Sequence, residues 1–134
     1  PAARPARDRR LLLVDDDPDI RSYAEKVLRS GGFDVVACAD GVEALAVIAG
    51  DETIDAVVLD WALPGLDGRR VREQLQARHP SMPLLVISGH QRQQYEALGG
   101  VDAATPWLMK PFTPTALLRS LQELLDQADA AHGS

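Results

Sequence analysis

The sequence predicts an α/β protein, a doubly wound parallel sheet of five strands with helices on both faces. Three observations carry this. Strand-like and helix-like stretches alternate five times along the 134 residues, the order that builds βαβ units. The runs at 11–14, 56–59 and 84–87 are continuously apolar, as strands covered on both faces are. The runs also end on reactive side chains: Val14 leads into Asp15-Asp16-Asp17, Leu59 into Asp60, Ile87 into Ser88, and Trp107-Leu108-Met109 into Lys110. Ligands of an open parallel sheet bind beyond the carboxyl ends of its strands, so these side chains would meet in one crevice.

Each element has a local reason. Residues 10–15 read as the first strand. Pro18 suits a first helical turn, where its missing N–H costs nothing, and Ile20, Ala24, Val27 and Leu28 mark one face of that helix as far as Gly31-Gly32. Phe33 to Ala37 is the second strand. Asp40, with Glu43 three residues on, opens a helix that runs to about Gly50. Residues 55–60 form the third strand, and Pro64-Gly65 with Asp67-Gly68 an ordered loop. A mostly polar helix follows, with Val71 and Leu75 inward, ending near His79-Pro80. Residues 83–88 are the fourth strand and 90–98 a short helix stopped by Gly99-Gly100. Residues 105–109 are the fifth strand, and Pro106, having no N–H to give, places it at an edge. The last helix starts at Thr113-Pro114 and buries Leu117, Leu118, Leu121, Leu124 and Leu125. Residues 9–127 make one domain, with 1–8 and 128–134 expected as flexible ends.

Composition narrows the function. An apolar content of 46% and a charged content of 25% suit an ordinary soluble globule with one core. A net charge of −6 and a pI near 4.9 argue against direct nucleic-acid binding. Arg69, Arg70 and Arg72 form the densest basic cluster beyond the N-terminus and read as a solvated helix face. The lone Cys38 cannot form an internal disulfide, which fits a reducing cytoplasm. No apolar stretch is long enough to span a membrane and no signal peptide opens the chain, so no membrane insertion is expected. A first residue other than Met suggests a processed terminus or a piece of a longer chain.

A carboxylate cluster beside a hydroxyl and an ammonium is the equipment of a divalent-metal and phosphoryl site. Two carboxylates about 4 Å apart repel by roughly 4 kcal/mol at an effective dielectric near 20. Three in one crevice need a cation among them. Asp17 has a plainer explanation, since an acid before Pro18 caps the helix there. Ser88 alone would be a strand-end turn residue and Lys110 alone a solvated charge; the set gives them meaning.

That ordered set resembles the receiver domain of two-component response regulators, over roughly residues 9–127. The resemblance rests on Val14-Asp15-Asp16, Asp60, Leu63-Pro64, Asp67-Gly68, Ser88 and Lys110-Pro111-Phe112, with 44 residues from Asp16 to Asp60 and 22 from Ser88 to Lys110. It implies a flavodoxin-like (βα)5 fold with sheet order 2-1-3-4-5. It further implies that Asp60 is the phosphorylation site, taking a phosphoryl group from a phosphohistidine. Mg²⁺ would be held by Asp15, Asp16, Asp60 and the backbone carbonyl of Ala62. Lys110 would bind the acyl phosphate, and Ser88 would hydrogen-bond it and report its presence. Such a chain is a signalling phosphoacceptor that catalyses only its own phosphorylation and dephosphorylation. The implied partners are a histidine kinase or histidine phosphotransfer domain, with a homodimer through the 4-5-5 face (fourth helix, fifth strand, fifth helix) as an option.

Three positions are open in this light. Trp107 stands where the family has a Tyr or Phe that swings inward on activation; a fixed packing residue is equally consistent. His90, two residues after Ser88, would tune dephosphorylation or simply face water. Ala62 is small for its position and would leave the phosphoryl group open to solvent. The stretch from Gly99 to Trp107 is longer than the family pattern, and Pro106 departs from it.

Two other classes compete. A haloacid-dehalogenase-like phosphatase would use Asp15-Asp16-Asp17 as its Asp-x-Asp, but Pro18-Asp19 does not resemble its continuation and Asp60 would go unexplained. A binding module on the same fold, no longer taking phosphate, would not need all of Asp15, Asp16, Asp60, Ser88 and Lys110. Both a stand-alone receiver and a receiver of a hybrid histidine kinase fit, and the Pro/Ala/Arg-rich opening, linker-like, favours the second.

Overall fold

The computed structural model describes residues 9–133 apart from 52, 64–67, 97–100 and 102. Five strands, β1 (Arg10–Val14), β2 (Asp34–Cys38), β3 (Ala56–Asp60), β4 (Leu84–Ser88) and β5 (Trp107–Met109), alternate with helices. These are α1 (Pro18–Ser30), α2 (Gly41–Gly50), α3 (Gly68–Arg78), α4 (Gln93–Glu96) and α5 (Pro114–Gly133). The sheet is parallel in the order β2-β1-β3-β4-β5, the flavodoxin-like arrangement expected from the sequence.

The register sets up the site. Val14 stands opposite Leu59, so the next residues, Asp15 and Asp60, are level. Asp60 stands opposite Ile87, and Ser88 opposite Met109, so Ser88 and Lys110 each lie one residue higher. The carboxyl ends of four strands form a shallow stair.

Strand alternation divides the core between two faces. Leu11 and Leu13 of β1 pack with Ala24, Leu28, Leu117 and Leu121 on the side of α1 and α5. Leu12 and Val14 pack with Ile48, Val71 and Leu75 on the side of α2 and α3. The helix caps are those the sequence indicates. Asp17 accepts from the N–H groups of Asp19 and Ile20 at 2.9 and 3.3 Å, and Asp40 from that of Glu43 at 2.8 Å.

Gly68 opens α3 directly beneath the end of β3. A Cβ there would lie 2.6 Å from Trp61 Cα and 2.8 Å from Trp61 O, and backbone cannot give way as a flexible side chain can. Gly68→Ala should cost about 1–3 kcal/mol, the usual penalty for overpacking a close contact, read as a lower urea midpoint at unchanged slope.

Four details differ from the sequence reading. α5 does not stop at 127 but continues to Gly133. Its added turns carry no long apolar side chain; Asp129 instead pairs with Arg9, which is buried just ahead of β1. α4 begins at Gln93 rather than 90. Ser88 Oγ accepts from the His90 N–H at 3.1 Å, and Gln94 Oε1 from the Gln91 N–H at 2.8 Å, so side chains hold this stretch as a turn before the helix. β5 starts after Pro106, whose carbonyl still accepts from the Val86 N–H at 3.0 Å. Finally, Arg72 is not part of a solvated face: it is half-buried and donates to Thr105 Oγ1 at 3.2 Å, while Arg69 and Arg70 are exposed. The expected N-terminal segment 1–8, Pro64-Gly65, Asp67 and Gly99-Gly100 lie outside the described residues. Among those described, no helix is long and apolar enough to cross a membrane.

Candidate functional site

Asp15 is fully buried, and nearly every polar atom it has is committed. Its N–H donates to Cys38 O at 3.1 Å. Its carbonyl accepts from Arg21 Nη1 at 2.9 Å, and Oδ1 accepts from the Asp17 N–H at 2.9 Å. Oδ2 is left. Lys110 Nζ sits 2.8 Å from it as an ion pair, yet this buried oxygen has no aligned hydrogen-bond donor.

Asp60, at the end of β3, is only 4% exposed. Its Oδ1 accepts from the Ala62 N–H at 3.1 Å and its Oδ2 from Lys110 Nζ at 3.2 Å. Burial and the charge of Asp15 push its pKa up to about 6, against the pull of the Ala62 N–H and Lys110. Burial works against the charge on Lys110, but the neighbouring Asp15 and Asp60 outweigh it and hold the ammonium above its ordinary range. The lysine therefore bridges two carboxylates that would otherwise face each other unscreened.

Asp16 completes a cluster in which one carboxylate oxygen from each of Asp15, Asp16 and Asp60 lies within 4.8 Å of the others. Two of the three are buried and Asp16 is exposed, so the group opens to solvent on one side. Three hard oxygen donors, one of them an orphaned buried oxygen, fit a small divalent cation that keeps part of its water shell. Asp17, by contrast, turns its carboxylate into the cap of α1 and is absent from the cluster.

Ser88 is fully buried at the end of β4, and its carbonyl accepts from the Lys110 N–H at 2.7 Å. Its Oγ is held by the His90 N–H rather than by the carboxylates. Ala62 is exposed, leaving the mouth over Asp60 unshielded by its side chain. Trp107 is half-buried, its ring centroid 6.0 Å from that of Trp61 and 5.6 Å from that of Tyr95, and its Nε1 donates to His90 O at 2.9 Å. His90 itself is exposed, with its ring edge-on to Tyr95. The structure thus gathers Asp15, Asp16, Asp60 and Lys110 directly, sets Ser88 beside them, and places Trp107 and His90 one shell away.

Sequence reasoning missed two contributors. Arg21 was passed over because a charge on a helix looks solvated, though its spacing one turn after Asp17 could have pointed back to the strand end. Tyr23, whose hydroxyl donates to Phe112 O at 3.2 Å and whose ring lies 5.9 Å from that of Phe112, links α1 to the loop after Lys110. Ile20, Tyr23, Lys110, Pro111 and Phe112 line a depression of about 330 Å³ at the edge of the site.

An open parallel sheet whose strand ends bring a carboxylate cluster and a lysine together is an α/β module of the flavodoxin-like class, and comparison gives it a family. Residues 11–122 match the response regulator receiver domain. The chain belongs to that family, the receiver domains of two-component signalling. It is 38% identical over 125 residues to response regulator MprA of Mycobacterium sp. (strain KMS), a match covering 92% of this chain and 54% of that protein. It is 40% identical over 117 residues to MprA of Mycobacterium avium (strain 104), covering 87% and 50%. The chain therefore spans about half the length of these curated relatives. Among solved structures, a response regulator receiver protein from Sinorhizobium medicae WSM419 superposes with a TM-score of 0.79 at 30% identity, covering 90% of this chain and 96% of that one. Chemotaxis protein CheY4 of Vibrio cholerae gives a TM-score of 0.76 at 30% identity, covering 87% and 98%.

Proposed function

We propose that this receiver takes a phosphoryl group from a phosphohistidine onto Asp60, with Mg²⁺ held by Asp15, Asp16, Asp60 and the Ala62 carbonyl. One observation carries the reading: Lys110 Nζ stands between Asp15 Oδ2 and Asp60 Oδ2, at 2.8 and 3.2 Å. A cation there neutralises the acids at rest and can follow a phosphoryl oxygen once one arrives. An Asp60 carboxylate oxygen attacks phosphorus, the O–P bond forms as the P–N bond breaks, and the electron pair leaves with the imidazole. When bound, Mg²⁺ would supply positive charge to offset that of the phosphoryl oxygens. Lys110 supplies a fixed charge to the acyl phosphate, and Ser88 Oγ leaves the His90 N–H to donate to it. The chain turns over no other substrate. It makes and loses only its own acyl phosphate, and exposed Ala62 leaves hydrolysis open to water.

The donor is a histidine kinase or a histidine phosphotransfer domain. The depression lined by Ile20, Tyr23, Pro111 and Phe112 would receive an apolar side chain beside its phosphohistidine. The output surface is the face of α4, β5 and α5, which also offers a homodimer interface. No direct nucleic-acid contact is assigned to this domain. The reading places the domain in the cytoplasm. There Cys38, buried and pushed up to about 12 by burial and by Glu43, stays an inert thiol.

The test is labelling. With Mg²⁺ and acetyl phosphate or a phosphorylated kinase, the protein should gain one alkali-labile phosphoryl group and release no phosphate from added monoesters. Steady turnover of monoesters without labelling would replace the receiver reading with the phosphatase one.

Trp107 offers a second readout. Its indole donates to the carbonyl of His90, whose N–H is held by Ser88 Oγ, so movement of Ser88 should disturb the ring. In a Trp61→Phe background, beryllofluoride with Mg²⁺ should change the fluorescence of Trp107. If the mimic binds and the emission stays constant, Trp107 is a packing residue and no switch.

A further inference from the structure

We infer that Arg21 is a positioning residue for the metal site, holding the Asp15-Asp16 peptide so that both carboxylates face the crevice. The inference rests on the reading that this cluster takes Mg²⁺. Arg21 lies on the first turns of α1, half-buried, and Nη1 donates to Asp15 O at 2.9 Å. Its own N–H donates to Asp17 O at 2.9 Å, so backbone and side chain of one residue grip both ends of the Asp15–Asp17 segment. With the Asp15 N–H on Cys38 O and Oδ1 on the Asp17 N–H, the Arg21 bond is the last that fixes this turn. The carbonyl it holds belongs to the peptide that joins Asp15 to Asp16. Rotation of that peptide would swing Asp16, whose exposed carboxylate has no packing of its own to hold it.

Outer partners of ligating groups commonly set metal affinity by 10–100-fold. Here the charge of Arg21 makes the test sharp, because charge and positioning predict opposite signs. A guanidinium near a cation site repels the cation, so a purely electrostatic role means tighter Mg²⁺ binding once it is removed. Positioning means weaker binding. Arg21→Met keeps the apolar stem, removes the donor and should raise the Mg²⁺ dissociation constant about 10-fold.

The experiment is calorimetric titration of the parent, Arg21→Met and Arg21→Lys with Mg²⁺, alongside melting of each without metal. The expected pattern is weak binding by Arg21→Met, recovery in Arg21→Lys, which keeps an N–H donor, and metal-free melting points that agree. Labelling by acetyl phosphate should be slow in Arg21→Met at low Mg²⁺ and match the parent at saturating Mg²⁺, a split that general destabilisation would not produce. Equal or tighter binding by Arg21→Met overturns the inference while leaving the metal site standing. So does a metal-free melting point lowered in step with the affinity. A parent that takes up no Mg²⁺ overturns the reading of the cluster, and the role of Arg21 falls with it.

Discussion

Asp60→Asn should abolish phosphoryl uptake and, in metal-free buffer at pH 7, make the protein more stable. The first effect follows from removing the nucleophile: a neutral amide does not attack phosphorus. The second follows from where the charge sits. The Asp60 carboxyl has its pKa raised from 3.8 to about 6, by burial and then by Asp15. For an acid this is the direction that costs stability. Well below pH 4 the group is protonated whether the chain is folded or not, and the cost is absent. As pH rises past 4 the unfolded chain ionises first, and stability falls until the folded carboxyl ionises too, near pH 6. Above that the full penalty stands. The amide is nearly isosteric, so the change removes the charge and keeps the shape. Urea unfolding of parent and variant in EDTA should show a gap at pH 7 that closes as the pH falls to 4. A variant no more stable than the parent at pH 7 would mean that the ionised Asp60 carboxylate costs the folded state nothing.

Mg²⁺ should stabilise the parent by about 2.7 kcal/mol at 100 times its dissociation constant, a rise in melting temperature of roughly 10 °C for a domain of this size. A ligand that binds only the folded state shifts unfolding by mass action, and here it also relieves the repulsion between Asp15 and Asp60. Asp16→Ala is the informative variant, because Asp16 is exposed and its side chain makes no hydrogen bond among the described residues, so its loss leaves the fold alone. Asp15 is a poor choice, since its Oδ1 holds the Asp17 N–H and so the entry to α1. The Mg²⁺ response of Asp16→Ala should be small. An equal response in parent and variant would remove Asp16 from the metal site.

How much of this was legible in the sequence depended on how local the signal was. The continuous apolar runs told of strands covered on both sides, and the residues after them told where the chemistry would gather. Asp17 could be separated from Asp15 and Asp16 because a cap needs only its own helix. The rest depended on distant partners. Arg72 looked like one of three solvated arginines, yet it reaches Thr105, 33 residues on. The final turns of α5 carry no apolar period, and the partner of Asp129 is Arg9, 120 residues away. The group of Trp61, Tyr95 and Trp107 joins three elements that no spacing rule connects. The start of α4 was misplaced for the opposite reason: a serine and a glutamine compete locally for N–H groups that a helix would otherwise use.

The two apolar clusters on either side of the sheet share no buried residue. Neighbours on β5 part company in the same way: Leu108 packs with the layer of α1 and α5, Trp107 with that of α2 and α3. The sheet therefore works as a partition wall, and the carboxylate cluster stands on its rim. In evolutionary terms the two rooms can be refurnished separately. Substitutions around Phe112 on one face need no compensation around Trp61 and Trp107 on the other, and the reverse holds.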